Sequence, residues 1–294
     1  MDIIKKIALK LIGKKTPWSI GIVSIAKAEA LALDAVVPMQ PAITASQVTD
    51  CHASFVADPF LIKKDETIYC FFEIKDKTKN KGVISVSYSE DGIHFTYKGI
   101  VLEEPFHLSY PSIYMVDGEY YMIPESSENG EVRLYKAKKF PYEWAYQKTL
   151  LSGKDWVDAT VTHHEGRWYM FVSQSDNQSL YIYHSDRFDG AYQPHPLNPI
   201  YSDNRYDARP GGSILHHQNK LYRFGQDCHR RYGERLYLLE IETLSPTAYQ
   251  EKRIKSILSG QSGFRWNARK MHHACYLDIG DNYLVAMDGE GYRL

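Results

Sequence analysis

The sequence predicts an all-β fold: a five-bladed β-propeller with four-stranded antiparallel blades. Three observations lead there. Five segments share one hairpin pattern: FVADPFLIKKDETIYCFFE (55–73), SYPSIYMVDGEYYMIPES (109–126), VDATVTHHEGRWYMFVSQ (157–174), ARPGGSILHHQNKLYRFGQD (208–227) and HHACYLDIGDNYLVAMDG (272–289). Their marker positions, Asp58, Tyr110, Asp158, Arg209 and His273, recur at steps of 52, 48, 51 and 64 residues, and a blade of four strands needs roughly 40–50. The chain is also rich in β-forming aromatics, with 23 tyrosines, and no long helical period interrupts the repeats.

Taken in chain order, residues 1–16 are set apart. In MDIIKKIALKLIGKK, Ile3, Ile4, Ile7, Leu11 and Ile12 would share one face of a helix, with Lys5, Lys6, Lys10, Lys14 and Lys15 largely elsewhere. Such a segment either packs on its own domain or makes a peripheral contact with an anionic membrane. Residues 17–294 read as one propeller domain, for no linker or shift of composition divides them. WSIGIVSI (18–25) is expected to supply a strand to the last blade and close the ring, which removes two exposed sheet edges. After the first hairpin, GVISVSYSEDGIHFTYKGIVL alternates apolar and polar residues around a Ser-Glu-Asp-Gly turn and completes the blade. EVRLYKAKKFPYEWAYQKTLL, SLYIYHSDRFDGAYQPHP and RLYLLEIETLSPTAYQEKRI repeat that plan in the next three blades.

Composition narrows function. A net charge of −1 over 294 residues leaves no electrostatic footprint for nucleic acid. No apolar run is long enough for a membrane span and no secretory leader is evident, so the default location is cytoplasmic, with the basic first 15 residues available to touch the inner membrane surface. Cys51, Cys70, Cys228 and Cys275 are scattered without metal-ligand spacing and read as reduced thiols. Neither phosphate-loop fingerprint nor a Gly-x-Ser-x-Gly elbow is present, and neither a metal nor another cofactor is expected.

The hairpin geometry points to a site. The start of the first strand and the end of the second are antiparallel neighbours, so both face one mouth. The expected pairs are Asp58 with Glu73, Tyr110 with Glu125, Asp158 with Ser173 or Gln174, Arg209 with Gln226 or Asp227, and His273 with Asp288. His107 and His272 fall at the same end. Carboxylates converging on one water-filled funnel suit glycosyl chemistry, which needs one protonated acid and one ionised base or nucleophile. Asp58, Glu125 and Asp158 are the expected catalytic carboxylates. Glu73, His107, Tyr110, Arg209, Gln226, Asp227, His272, His273 and Asp288 are the expected substrate contacts. His163-His164 and His216-His217 lie at the far end of their hairpins and read as surface turns.

The ordered runs ADPFLI, EEPFHLSYPSIY, YYMIPESS, RLYKAKKFP, HPLNPI, ARPGGSI and RFGQDC carry a resemblance. From about Trp18 onward the chain resembles the amino-terminal domain of glucosamine inositolphosphorylceramide transferases and its stand-alone bacterial relatives. More distantly it is similar to the five-bladed propellers of the arabinanase, fructosidase and levansucrase superfamily. That resemblance implies a catalytic aspartate in an Asp-Pro motif of the first blade, which is Asp58 here. A second aspartate and a glutamate follow from later blades in those enzymes, whereas the second blade here has Ser-Tyr-Pro. The sequence favours a glycoside hydrolase or glycosyl-transferring enzyme acting on a cell-surface glycan or glycolipid. The alternative is a non-catalytic sugar-binding propeller that serves a partner glycosyltransferase.

Overall fold

The computed structural model describes residues 15–292, and they form a closed five-bladed propeller. Blade one runs outward through Ala53–Lys64, Thr67–Asp76, Lys81–Ser89 and Thr96–Leu102, and blade two through Ser109–Val116, Glu119–Glu125, Glu131–Lys139 and Glu143–Ser152. Blade three holds Trp156–His164, Arg167–Gln174, Leu180–Ser185 and Gln193–Pro194; blade four holds Leu215–His217, Lys220–Asp227, Arg235–Leu244 and Tyr249–Ser259. In blade five Ala274–Asp278 and Asn282–Tyr292 are joined by Lys15–Ala26 from the other end of the chain, and an antiparallel bridge from Ile20 to Ile43 occupies the outermost place. The expected closing strand is therefore present, and it begins earlier than expected. Lys15 and Thr16, which the sequence pattern places in the amino-terminal helix, already pair with Tyr292 and Gly291. The rest of that segment, 1–14, lies outside the described residues.

Turn chemistry sets the hairpins. Asp117-Gly118, Glu165-Gly166 and Gln218-Asn219 each place two consecutive residues at positive φ, as the tight primed turns that match strand twist require. The apolar core lies between neighbouring blades rather than on the axis. One cluster joins blades five, one and two around Phe60, Phe71 and Phe72; others join two with three, three with four and four with five. Each blade thus buries both faces, so its inner strands read as nearly continuous apolar runs.

The innermost strands carry a shared irregularity that builds the site. Asp58, Tyr110 and Asp158 sit at φ of 53, 46 and 54°, each within a register shift: Ala57 to Phe60, Ser109 to Ser112 and Val157 to Thr160. These are β-bulges, in which an extra residue bends the strand and re-aims its side chain. The bulge moves the pairing by one residue from the sequence expectation, so Glu73 pairs with Ala57, Glu125 with Ser109 and Ser173 with Val157. A left-handed conformation is strained for a non-glycine residue, more so for bulky Tyr110. Its repetition in three blades makes it part of the architecture.

Candidate active site

At the end of the funnel where these bulges lie is a cavity of about 350 Å³, walled by Asp58, Glu73, His107, Glu125, Arg209 and His272 together with Trp18, Phe55, Lys75, Ser109 and Tyr232. Carboxyl groups come from blades one and two, the guanidinium from the loop that opens blade four, and the imidazoles of His107 and His272 from the loops that open blades two and five.

Asp58 is buried and its side chain faces two histidines: Oδ1 lies 3.9 Å from His272 Nε2 and 3.9 Å from His273 Nδ1. Burial, against the pull of His272, pushes Asp58 up to about 7. Behind His272 stands Asp288, fully buried, accepting from His272 Nδ1 at 2.8 Å and from the Asp58 backbone N–H at 3.0 Å. Burial opposes charge on His272, yet the Asp288 carboxylate outweighs it and raises the imidazole above its usual value. In turn His272 holds Asp288 below the ordinary carboxylate range despite burial. The chain Asp288–His272–Asp58 is thus an oriented series, with the dyad fixing the ring so that Nε2 points toward the cavity carboxyl.

Glu73 is buried beside His107, whose Nε2 stands 3.5 Å from Oε1. Burial first, then the nearby Asp58 and Glu125 carboxylates, raise Glu73 well above the ordinary range. Burial also lowers His107, whose Nδ1 accepts from the Gly82 N–H at 2.8 Å. Glu125 is held differently, as an acceptor: Ser109 Oγ donates at 2.7 Å, the Ser127 N–H at 3.1 Å, and the Ser127 hydroxyl also donates.

Several residues expected at the mouth lie behind or below it. Asp158 is buried behind Arg209, which grips it through Nε at 2.6 Å and Nη2 at 3.2 Å, while Gln226 Nε2 donates at 2.8 Å. Both carboxylate oxygens are occupied, so Asp158 positions Arg209 instead of lining the cavity. Tyr110 and His273 form the floor. Tyr110 packs edge-on against Phe60 and His273 with centroids 4.8 and 5.2 Å away, and its hydroxyl joins Thr160 Oγ1 at 2.7 Å and accepts from the Gly212 N–H at 2.7 Å. Burial lowers His273 to about 3, so the ring is neutral and donates through Nε2 to the Pro59 carbonyl at 2.9 Å. Asp227 departs furthest: it faces the side of blade four, accepting from the His229 N–H at 3.0 Å, with Arg235 Nε 3.4 Å away. Its strand alternates sides, so Gln226 points to Asp158 and the next residue points away.

The histidine turns also differ from expectation. The blade-four turn itself is Gln218-Asn219, while His217 is buried against Tyr283 and His216 Nε2 meets Thr162 Oγ1 at 2.8 Å. Conversely, sequence reasoning misses Trp18 and Tyr232. Trp18 stacks on His272 at 4.2 Å and 19°, and Tyr232 lies edge-on to the same ring and 5.0 Å from the Arg209 guanidinium carbon. WSIGIVSI reads as the closing strand, but only closure brings its tryptophan beside His272, 254 positions away. Three side chains, Asp58, His272 and Asp288, offer ligand atoms within 4.8 Å of one another and could hold a cation. The hydrogen bonds of His272 and the Asp58 amide already occupy both Asp288 oxygens, so the set fits a proton-sharing series better.

Comparison with known proteins agrees with this architecture. The family described as "Glucosamine inositolphosphorylceramide transferase 1, N-terminal" matches residues 13–290. Glucosamine inositolphosphorylceramide transferase 1 of Arabidopsis thaliana is 38% identical over 263 residues, covering 85% of this chain and 34% of that protein. Its namesake from Oryza sativa subsp. japonica is 37% identical over 249 residues, covering 81% and 33%. The chain therefore spans about a third of the length of these relatives. Among solved structures, an exo-β-1,3-galactanase from Clostridium thermocellum superposes with a TM-score of 0.60 at 13% identity, over 72% of this chain and 51% of that one. An α-L-arabinofuranosidase from Podospora anserina gives 0.59 at 13%, over 82% and 92%. These two likenesses are likenesses of fold.

Proposed function

We infer the function from one premise: the chain belongs to the family of glucosamine inositolphosphorylceramide transferase 1, N-terminal. On that premise the funnel is a site for a sugar, carried by a glycan or glycolipid, and its carboxyl groups cleave or transfer a glycosyl unit. One observation carries this reading: Asp58 and Glu73, on paired strands of one hairpin, wall the same cavity, and burial raises the pKa of both. Glycosyl chemistry needs one carboxyl that keeps its proton at neutral pH and one that can give it up. Glu73, held well above the ordinary carboxylate range by burial and by the neighbouring Asp58 and Glu125 carboxylates, serves as the acid that protonates the leaving oxygen. Asp58, titrating near 7, serves as base or nucleophile, with its charge supported by His272. Glu125, fixed by its serine donors, and Arg209, fixed by Asp158, orient sugar hydroxyls, while Trp18 and Tyr232 offer aromatic faces for the ring.

A second reading has its own support. In a sugar-binding propeller that serves a partner glycosyltransferase, Trp18 and Tyr232 would offer ring faces and Arg209 a guanidinium on the cavity wall, groups that hold a sugar without altering it. The test is a screen of glycans and nucleotide sugars with products read by mass spectrometry and binding read in parallel. A product formed by wild type and lost in Glu73→Gln supports chemistry; a bound sugar that is never altered supports the binding propeller.

A further inference from the structure

On the face opposite the funnel, between blades two and three, lies a cavity of about 630 Å³. Its residues come from the hairpin ends remote from the mouth: the Asp117-Gly118 turn, the opening residues of Glu119–Glu125 and Arg167–Gln174, and the turn 186–189 that follows Leu180–Ser185. The inner strand Ser109–Val116, eight residues long, runs from one face to the other, on the order of 25 Å. A single sugar unit therefore cannot touch both openings. Phe188 is buried in this cavity wall, and the rings of Tyr121 and Trp168 stand 5.2 and 5.0 Å from it, inclined at 56 and 67°. Tyr121 and Trp168 are only half-buried and turn ring surface to the cavity. Around the rings the charged groups are tied in pairs. Arg187 holds Asp189 through Nε at 3.1 Å and Nη2 at 3.2 Å, Arg167 Nη1 holds Asp186 at 3.0 Å, and Lys148 Nζ donates to the Asp189 carbonyl at 2.7 Å. Three acids, Asp117, Asp186 and Asp189, thus stand against three cations, Arg167, Arg187 and Lys148.

We propose that this cavity is a second carbohydrate site, which takes a neutral sugar residue of a glycan. A pyranose or furanose ring has an apolar C–H face, which suits Trp168 and Tyr121, and a rim of hydroxyls that donate and accept at once. The paired carboxylates keep lone pairs to accept from those hydroxyls, and the guanidinium of Arg187 keeps N–H groups to donate to them. Because the local charges cancel, neither an anion nor a cation is favoured by the field of the site. A purely apolar ligand is disfavoured as well, for it would strip water from the ion pairs and return no hydrogen bonds. The volume falls within the roughly 300–1,000 Å³ of small-molecule sites, and aromatic walls with a few fixed polar groups are their usual lining. Two sites on opposite faces let the propeller hold one stretch of glycan while the funnel engages another. This site goes beyond the reading of the funnel and stands whether or not the funnel alters a sugar.

The test is native electrophoresis of the full chain through gels that each carry one neutral polysaccharide: galactan, arabinan, xylan, mannan or β-glucan. Wild type should be retarded in at least one of them. Trp168→Ala should raise the dissociation constant read from the retardation roughly tenfold, the worth of one lost ring face. Trp168→Leu, which keeps apolar packing against Phe188, and Arg187→Ala, at an exposed side chain, should weaken retardation with the melting temperature retained. Tyr232→Ala, on the funnel wall, separates the two sites: retardation that survives this change and is lost in Trp168→Leu assigns the binding to the far face. The reverse pattern would overturn the proposal, as would a wild type that runs unretarded in all five gels or undiminished retardation of the folded Trp168→Leu and Arg187→Ala proteins.

Discussion

At the scale of the residue, the site is a set of charges held away from their ordinary states. Asp58 is pushed up to about 7 in the folded protein, against about 3.9 for an unfolded aspartate. The folded state therefore binds this proton more tightly, and the resulting stability is full below about pH 4 and is lost as pH rises to about 7. His272, also raised, acts in the same direction, whereas lowered Asp288 contributes above its unfolded value and loses that contribution in acid. Asp58→Asn should thus come close to wild type in denaturant melts near pH 4 and exceed it near pH 8 by roughly 1–3 kcal/mol. Equal differences at both values would show that Asp58 titrates as an ordinary surface acid. The carboxyl partners of the first blade are legible in the sequence because a hairpin brings Asp58 and Glu73 together whatever the rest of the chain does. The engagement of Asp158 by Arg209 is not, because it depends on side-chain direction between blades and not on spacing.

Among elements, the bulged inner strands decide what reaches the funnel and what fills its floor. The Tyr110 hydroxyl ties blade two to Thr160 of blade three and to the backbone of Gly212, where the chain approaches blade five. Gly212 has φ of 133°, and a Cβ there would come 1.8 Å from the Ala274 carbonyl. Gly212→Ala should cost at least about 3 kcal/mol through backbone displacement and strain, measured by urea denaturation; a loss below about 1 kcal/mol would mean the junction yields easily. The existence and spacing of these strands follow from alternating apolar residues and turn dipeptides such as Asp117-Gly118. The bulges do not, because Asp-Pro, Tyr-Pro and Asp-Ala share no turn signature, and only the ladder exposes the slipped register. In blade four the sequence leaves Gln226 and Asp227 as alternatives, and strand alternation decides between them by aiming Gln226 at Asp158 and Asp227 away from the mouth.

For the whole molecule, closure is the organising fact: a strand from the amino-terminal side completes the last blade and carries Trp18 to His272. Deleting residues 1–14 should leave the melting temperature within about a degree or two, whereas deleting through Ala26 should unfold the protein by opening blade five; a stable, cooperative fold after the longer deletion would contradict closure. The ring is legible in the sequence because the hairpin pattern recurs once per blade. Tyr232 stays hidden because it stands in the loop between the second and third strands of blade four, where the hairpin pattern prescribes no residue, and loops are placed by the scaffold around them. Closure matters to function because it gathers acids, a guanidinium and aromatic walls from separate blades around one cavity. The most direct test of the glycosyl reading is the turnover rate of Asp58→Asn on the sugar substrate that wild type converts, with product counted by mass spectrometry. The account predicts a fall of about 10²-fold or more with the melting temperature retained. Undiminished turnover by the folded variant would contradict it.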